Sequence, residues 1–287
     1  MIHEVTEIPA LPKRSDEAHK GDLGRLVIVG GSVGDVTMIG APALVANAAF
    51  RSGVGLVQVL IPREIRAAVA TLAPCATLRT LPTDADGLIE ATESYHAEVA
   101  AVGPGLGRSL TAKVLVEFLR QFPGPVVVDA DGLNLLAEAP PFSVPDSRRI
   151  VLTPHPGEMR KLLKAREKPH EVGTTRESRS AAALALADTF DCVAVLKGAG
   201  TIVTDGRRLY VNTTGNSGMA TAGTGDVLTG VISALIGQKM GPFEAAVLGV
   251  YLHGLAGDLA AAELGRHSMM ATDIVDYLPE AFSADAD

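Results

Sequence analysis

The chain has 287 residues, of which 47 % are hydrophobic and 20 % are charged. This length and composition allow one large domain or two ordinary ones with a substantial core, and they exclude global disorder. The net charge of −8, the absence of tryptophan and an aromatic content of 4 % argue against a protein that binds nucleic acid or an anionic membrane.

The N-terminal segment, residues 1–22, predicts an extended lead-in with two prolines and a charged stretch, and it contains no apolar signal segment. No uninterrupted apolar stretch along the chain reaches membrane-spanning length. Cys75 and Cys192 each lie in an apolar run, which predicts two buried thiols in a reducing compartment. We therefore expect a cytoplasmic protein that does not associate with a membrane.

From residue 25 onwards, short apolar runs rich in β-branched residues alternate with alanine-rich helical segments. The predicted strands are 26–29, 55–62, 76–81, 98–102, 125–129, 150–153, 192–196, 202–204 and 208–211. The predicted helices are 40–51, 64–72, 87–95, 110–122, 176–190, 227–236, 242–264 and 272–282. Residues 140–148 and 165–173 are expected to be irregular, and Asp205-Gly206 predicts a hairpin between the last two strands.

This alternation, with no break in composition, predicts a single α/β domain over residues 1–287, in which a mostly parallel sheet is flanked by helices on both faces. Ligands of such sheets bind beyond the carboxyl ends of the strands. The glycine-rich and polar loops nearly all follow a predicted strand, so we expect them to meet along one rim: 30–34, 103–107, 129–134, 153–158, 197–201 and 223–226.

The run N-T-T-G-N-S-G-M-A-T-A-G-T-G-D-V-L-T-G, residues 212–230, places Gly223, Thr224 and Gly225 at the start of an apolar helix. Unpaired backbone N–H groups and the helix dipole make such a start an anion hole. Asp226 follows in the first turn and could accept a proton. Alternatively, Asp226 only complements the dipole and the glycines only shape a turn. Five glycines in so short a run favour phosphoryl transfer.

Three other rim segments have both a functional and a structural interpretation. Lys197-Gly198-Ala199-Gly200-Thr201 suits the phosphate or ribose of a nucleotide, or it forms a tight hairpin. Asp129 and Asp131 could bind a metal or cap a helix. His155, between two prolines, suits ligand contact, and Glu158 could bind hydrated Mg²⁺ or begin a helix. No complete dinucleotide fingerprint and no P-loop is present, which disfavours those two classes.

Together these motifs resemble the ADP-dependent NAD(P)H-hydrate dehydratases of the ribokinase-like superfamily. The resemblance runs from about residue 24 to residue 278, through V-I-V-G-G-S, R-S-G-V-G-L-V, V-G-P-G-L-G, V-V-V-D-A-D-G-L-N, T-P-H-P-G-E-M, L-K-G-A-G-T and G-N-S-G-M-A-T-A-G-T-G-D-V-L-T-G. It implies a ribokinase-like fold and a repair reaction. In that reaction ADP phosphorylates the hydroxyl of the (6S) hydrate of NADH or NADPH, phosphate leaves, and the ring nitrogen's lone pair restores the double bond.

By this resemblance, Asp226 is the catalytic base, and the backbone N–H groups of Gly223, Thr224 and Gly225 stabilise the moving phosphoryl group. The matching adenine-nucleotide contacts are Lys197, Gly198, Ala199, Gly200, Thr201 and Gly225, and the matching hydrate contacts are Ala41, Gly105, His155 and Asp226. We expect Mg²⁺ to accompany ADP, and the resemblance also suggests a homo-oligomer, perhaps a tetramer.

Many of these dehydratases carry an N-terminal epimerase domain. Only about twenty residues precede the first predicted strand, so we expect a separate epimerase. The alternative activity is a kinase of the same superfamily, of the hydroxymethylpyrimidine or hydroxyethylthiazole type. Such kinases commonly have asparagine at the position of His155, which favours the dehydratase. A nucleotide-binding sensor without turnover would have no need of a base at Asp226.

Overall fold

The computed structural model describes residues 2–284, apart from the side chain of residue 148. Its centre is a ten-stranded sheet in the order β1-β10-β9-β8-β7-β6-β5-β2-β3-β4. Every neighbouring pair is parallel except the two that involve β9. The strands are β1 His3–Val5, β2 Arg25–Val29, β3 Leu56–Ile61, β4 Thr77–Thr80, β5 Val99–Val102, β6 Val126–Val128, β7 Ile150–Leu152, β8 Val193–Leu196, β9 Ile202–Thr204 and β10 Arg208–Val211.

Ten α-helices lie along the described chain, and they cover both faces of the sheet. They are α1 Gly40–Arg51, α2 Arg66–Leu72, α3 Ala85–Tyr95, α4 Ala112–Gln121, α5 Asp131–Glu138, α6 Pro156–Ala165, α7 Arg176–Phe190, α8 Thr224–Gly237, α9 Pro242–Leu264 and α10 Ala271–Ala284. Helices α1, α2, α8, α9 and α10 pack on one face, and α3 to α7 pack on the other.

The strand sequences explain these two layers. Successive side chains of a strand point to opposite faces, so a strand buried on both sides needs apolar residues at every position. In β2, Leu26 and Ile28 join the core beneath α1 and α8, whereas Val27 and Val29 join the core beneath α4. All four side chains are fully buried. The predicted mostly parallel α/β sheet with helices on both faces is therefore confirmed.

The predicted strands and helices are present with end shifts of a few residues. The helices predicted at 40–51, 176–190 and 242–264 and the hairpin strands at 202–204 and 208–211 have the expected bounds. The predicted lead-in contains one strand that the sequence did not indicate, because β1 is only three residues long and pairs with the sheet edge at β10. Residues 1 and 285–287, which belong to the predicted 1–287 domain, lie outside the described residues.

The two cysteines differ in their exposure to solvent. The prediction that Cys75 is buried was wrong, because this residue lies in the turn between α2 and β4 and is exposed; Cys192 is buried as predicted.

Among the described residues, one helix, α9, is long and apolar enough to cross a membrane. However, 67 % of its most apolar stretch is buried within the protein, as expected of a core helix.

The topology determines where the rim loops meet. Strands β8, β7, β6, β5 and β2 are adjacent and parallel, so their carboxyl ends share one edge. The loops that begin at Gly30, Gly103, Asp129, Thr153 and Lys197 leave these five ends in turn. The predicted gathering of the unusual residues along one rim is present.

Candidate active site

The first turn of α8 faces this rim. Gly223 is the N-cap residue with φ +92°, a conformation that glycine adopts at little cost, and the helix begins at Thr224. Among the described residues, none accepts a hydrogen bond from the backbone N–H groups of Thr224, Gly225 or Asp226 outside the helix, and N–H groups in a first turn have no partner inside it. Thr224 and Gly225, two of the three residues of the predicted anion hole, therefore have free N–H groups at the positive end of the helix dipole, and the binding of an anion there stays a prediction.

A partly buried ion pair lies next to these donors. Lys197, at the end of β8, donates from Nζ to Oδ1 of Asp129, at the end of β6, over 2.5 Å. The second oxygen of Asp129 accepts a hydrogen bond of 2.8 Å from the hydroxyl of Thr229, one turn along α8. The Asp129 side chain is only 1 % exposed. Residues from three elements are thus joined through one carboxylate.

The pair also lies close to the helix start. A Cβ atom on Gly225 would lie 3.2 Å from Lys197 Nζ and 3.7 Å from Asp129 Oδ2. Glycine therefore keeps the approach to the lysine open at the second residue of the helix. The anion hole and a cation are next to each other, which is the arrangement needed to hold a phosphate in a protein of net negative charge.

The carboxyl group of Asp226 has an unusual affinity for a proton. Burial raises the pKa of Asp226 to about 7, the nearby carboxylates of Asp129 and Asp131 act in the same direction, and Lys197 opposes them. A carboxyl group with this pKa can both accept and release a proton at neutral pH, as a general base requires.

The backbone around Asp129 is tightly constrained. Ala130 has φ 48° and ψ −118°, which non-glycine residues rarely adopt. Gly103, at the end of β5, has φ +124°, and a Cβ there would lie 1.9 Å from the carbonyl oxygen of Asp129. Asp131 Oδ2 accepts a hydrogen bond of 2.8 Å from the N–H of Gly107. The strained turn is therefore packed against Gly103 and hydrogen-bonded to Gly107, and these contacts fix Asp129 and Asp131 at the rim.

Ala41 and Gly105 lie side by side, although 64 residues separate them in the sequence. Gly105 has φ +61°, and a Cβ on it would lie 3.1 Å from Ala41 Cβ and 2.9 Å from Met38 Cβ. Ala41 is the second residue of α1, and Met38 pairs with Ser32 through two backbone hydrogen bonds. The structure thus brings two of the predicted hydrate contacts together.

His155 and Glu158 form a capping box at the start of α6. Nδ1 of His155 accepts from the N–H groups of Gly157 at 2.9 Å and Glu158 at 3.4 Å, so the neutral ring carries its proton on Nε2. Burial and the charge of Lys197 lower the pKa of His155 below its usual value. The His155 side chain is 57 % exposed, so a ligand can reach the ring.

The carboxylate of Glu158 takes part in the same capping box. Oε2 accepts a hydrogen bond of 2.8 Å from the His155 N–H, and Oε1 lies 3.5 Å from His155 Nε2. Over the described ranges, residues 2–284, no group of three or more His, Cys, Asp or Glu side chains is arranged to hold a metal ion. The role of Glu158 as a magnesium ligand therefore stays a prediction, and the helix-start alternative describes its contacts.

The predicted nucleotide segment, Lys197 to Thr201, forms a tight loop between β8 and β9. Gly198 and Gly200 both have positive φ values, and Thr201 Oγ1 donates to the Gly198 carbonyl over 2.8 Å. Ala199 and Gly200 are exposed at the tip of the loop. The loop thus leaves its backbone groups open to a ligand, next to the lysine that pairs with Asp129.

Three side chains that support the site were not found by sequence reasoning. Arg179, on α7, is 8 % exposed and donates to the carbonyls of Leu196 at 3.2 Å and Lys197 at 3.3 Å. His253, on α9, lies 3.1 Å from the Thr224 carbonyl, and burial lowers its pKa to about 4, so the neutral ring donates from Nε2. Thr229 is the third. Arg179 and His253 lie in helix interiors outside every quoted motif, whereas Thr229 lies within the run 212–230 but has no local signal that connects it to Asp129.

A family model described as NAD(P)H-hydrate dehydratase matches residues 26–280. The chain is 42 % identical to a bifunctional NAD(P)H-hydrate repair enzyme of Moorella thermoacetica, over 94 % of this chain and 51 % of that protein. It is 35 % identical to an ADP-dependent (S)-NAD(P)H-hydrate dehydratase of Neisseria meningitidis, over 92 % of this chain and 87 % of that protein. The chain thus spans about half the length of the bifunctional relatives it matches.

Solved structures agree with the family match. A ribokinase-like superfamily protein of Enterococcus faecalis superposes with a TM-score of 0.81 at 25 % identity, over 99 % of this chain and 96 % of that one. An ADP/ATP-dependent NAD(P)H-hydrate dehydratase of Bacillus subtilis, co-crystallised with ATP and Mg²⁺, superposes with a TM-score of 0.80 at 30 % identity, over 96 % of this chain and 95 % of that one. The fold is therefore ribokinase-like, as predicted.

Proposed function

The chain belongs to the NAD(P)H-hydrate dehydratase family, and from that premise we propose that it catalyses the ADP-dependent dehydration of the (6S) hydrate of NADH or NADPH. The products are the intact reduced dinucleotide, AMP and phosphate. One observation carries the proposal: Asp226, with a pKa of about 7, lies in the first turn of α8, beside free backbone donors and Lys197.

In the first step, Asp226 accepts the proton of the hydroxyl group on ring carbon 6. The hydroxyl oxygen attacks the β-phosphorus of ADP, and the bond between that phosphorus and the oxygen bridging to AMP breaks. The N–H groups of Thr224 and Gly225 and the ammonium group of Lys197 surround the position where negative charge develops on the phosphoryl group. Asp129 holds Lys197 in place, and its own charge favours a proton on Asp226.

In the second step, the bond between carbon 6 and the phosphate oxygen breaks, and phosphate carries away the electron pair. The lone pair of the ring nitrogen stabilises the positive charge that forms, and loss of a proton from carbon 5 completes the double bond. Phosphorylation matters because hydroxide is a poor leaving group. Ala41, Gly105 and His155 would contact the hydrate, and the loop from Lys197 to Thr201 would contact the adenine nucleotide.

Magnesium would enter with the nucleotide. Mg²⁺ in phosphoryl-transfer sites is commonly held by substrate phosphates, water and one or two carboxylates. The described rim fits this mode, since it offers single carboxylates such as Asp131, whereas no group of three or more potential metal ligands is arranged to hold an ion among residues 2–284. When bound, the ion neutralises phosphate charge during transfer.

The proposal extends to the setting of the enzyme. Because the substrate is a single epimer, an epimerase that interconverts the two hydrates would supply it. We also propose a cytoplasmic location and a homotetramer. Light scattering on the purified protein should then give four times the chain mass of 29.7 kDa.

The test is a turnover assay with purified protein, Mg²⁺ and chemically prepared NADH hydrate, with and without ADP. We expect an ADP-dependent rise in the absorbance of reduced nicotinamide, with AMP and phosphate released in equal amounts. Asp226→Asn should lower this rate by roughly 10²–10⁴-fold, the usual contribution of a general base, while ADP still binds.

Asp16→Asn removes the same charge from the exposed lead-in and should leave the rate unchanged. No rise with the hydrate, together with ATP-dependent phosphorylation of a pyrimidine or thiazole alcohol, would establish the kinase instead. ADP binding without either turnover would establish the sensor.

A further inference from the structure

A cleft of about 1020 Å³ opens beside the rim, between the start of α4 and the helices α5 and α6. Neither Asp226 nor Lys197 lines it. Gly107 and Asp131 do, and the hydrogen bond between them joins the loop after β5 to the loop after β6. The cleft is therefore continuous with the segment that contains Gly105, the proposed hydrate contact.

The strands that precede each segment show where the cleft lies relative to the reacting groups. The proposed nucleotide loop follows β8, whereas Gly105 follows β5 and Ala41 lies in the first turn of α1, after β2. Phosphoryl transfer places the attacking and leaving oxygens roughly in line, so the acceptor must approach from the side opposite the nucleotide. The segments that line the cleft follow β5, β6 and β7, and its end at Gly107 and Arg108 adjoins the loop that contains Gly105, the proposed contact of the acceptor.

Electrostatic coupling also connects the cleft to the reacting groups. Burial is the main cause of the raised pKa of Asp226 and Glu158 and of the lowered pKa of His155; among the smaller causes, Asp131, which lines the cleft, adds to the rise at Asp226, and Lys161, which also lines it, acts on both His155 and Glu158. The cleft wall itself is held to the rim, since Asp131 accepts a hydrogen bond from the Gly107 N–H and Lys161 donates one to Asn134.

The charges in the cleft suit phosphate. Three cations line it, Arg108, Lys161 and Lys164, against two carboxylates, Asp131 and Glu138. Asp131 is already paired with the Gly107 N–H. Lys161 Nζ is held 3.1 Å from the side-chain oxygen of Asn134. This local excess of positive charge stands out on a chain whose net charge is −8.

The cleft wall has an apolar part as well. Leu110, two residues before α4, and Leu135, on α5, both line the cleft and are almost fully buried. Cations beside apolar side chains suit a nucleoside phosphate, because the sugar and base need apolar contact and the phosphates need positive partners.

We propose that this cleft binds the adenosine diphosphate half of the dinucleotide hydrate, the half that does not react. The proposal rests on the proposed dehydratase function and adds the place where the remainder of the substrate is held. Arg108 and Lys164 pair with its phosphates, and Lys161, fixed by Asn134, completes the positive rim next to His155. ADP, the phosphoryl donor, binds elsewhere, at the loop from Lys197 to Thr201.

The test compares two substrates, NADH hydrate and the hydrate of reduced nicotinamide riboside, which lacks the adenosine diphosphate. In the double variant Arg108→Ala/Lys164→Ala, KM for NADH hydrate should rise roughly tenfold, because two solvent-exposed ion pairs with phosphate are lost. With the riboside hydrate, the variant should differ from the wild type by less than about twofold, since that substrate ends before the cleft. KM for ADP should not change.

Two further variants keep the test specific. Arg108→Lys/Lys164→Arg retains both charges and should restore most of the affinity for NADH hydrate. Arg14→Ala/Arg51→Ala removes two exposed cations far from the rim and should have no effect on either substrate.

The outcomes separate the two proposals. Equal effects of the cleft variant on both hydrates, or no effect on either, would overturn the cleft as the adenosine diphosphate site while leaving the dehydratase intact. If the wild type turns over neither hydrate, the dehydratase itself is overturned. A cleft variant that melts like the wild type shows that any change in KM is not caused by unfolding.

Discussion

Folding favours the protonated form of the Asp226 carboxyl group, whereas catalysis requires the ionised form. Burial and two neighbouring carboxylates raise its pKa to about 7, so its ionised form, the form needed for catalysis, is unfavourable in the folded protein. An aspartate whose pKa is higher in the folded than in the unfolded state binds a proton more tightly when folded. The contribution of the Asp226 carboxyl group to the free energy of unfolding is therefore fully present below about pH 4, and it is lost as the pH rises to about 7.

The first prediction follows from that sign. Asp226→Asn cannot ionise, so its free energy of unfolding should exceed that of the wild type by a few kcal/mol at about pH 8, with the difference shrinking as the pH falls towards 4. Urea denaturation at a series of pH values measures this. A constant difference across the series would show that Asp226 titrates normally.

The pair Asp129–Lys197 gives a second prediction at the residue scale. Lys197→Met leaves the Asp129 carboxylate, 1 % exposed, with only the Thr229 hydroxyl as a described side-chain partner, and it should cost about 3–5 kcal/mol of unfolding free energy. The double variant Asp129→Asn/Lys197→Met removes both charges and should recover most of that loss. Chemical denaturation of the two variants decides this, and equal stabilities would mean that the buried charge is not the cause.

At the scale of elements, helix α8 combines catalysis with close packing. Its first turn contains Asp226 and the anion hole, Thr229 reaches Asp129, and Gly230 touches α1. Helices α1 and α8 approach closely because Gly230 has no side chain: a Cβ there would lie 2.4 Å from the Val45 carbonyl oxygen and 2.8 Å from Ala48 Cβ. The position of the catalytic turn thus depends on a contact one turn away.

We predict that Gly230→Ala lowers the free energy of unfolding by about 1–3 kcal/mol, despite the higher helix propensity of alanine, because α1 and α8 must separate. The turnover rate should fall as well, since α8 carries Asp226. Gly40→Ala is the matched control: it lies in the first turn of α1 with open space around its Cβ position, and it should be neutral or slightly stabilising. Thermal unfolding and the turnover assay together test both variants.

At the scale of the whole molecule, the two helical layers are joined at the rim. Asp129 and Lys197 leave the sheet, Arg179 comes from the layer of α3 to α7, and His253 and Thr229 come from the layer of α8 and α9. A ligand bound at this rim therefore contacts groups anchored in both cores. Binding to the folded state alone stabilises the whole domain by mass action.

ADP at about one hundred times its dissociation constant should accordingly stabilise the protein by about 2.7 kcal/mol and raise Tm by a few degrees. Asp226→Asn should show the same rise, because the base is not needed for nucleotide binding. Thr201→Val removes the hydrogen bond that shapes the nucleotide loop and should show a smaller rise. A scanning fluorimetry series in ADP measures the three responses, and an equal rise in all three would show that this loop does not bind ADP.

The sequence by itself determined the sheet, most of the helices and the glycine-rich rim, because periodicity, turn residues and helix starts are local signals. It also indicated Asp226 and the lysine loop, since their spacing from glycine and strand ends is visible in one dimension. The status of Cys75 was missed because an apolar run does not reveal that a turn exposes it. The edge strand β1 was missed because three residues carry too little pattern.

Only the tertiary structure decided which side chains meet. Asp129 and Lys197 are 68 residues apart, and Asp129 and Thr229 are 100 apart, so no local pattern could connect them. Arg179 and His253 lie in helix interiors, where a charged or imidazole side chain normally has no special meaning. The raised pKa of Asp226 likewise arises from burial and from the charges of neighbouring elements. Spacing determines what a segment can become, whereas burial and charge depend on the neighbours that the topology of the sheet provides.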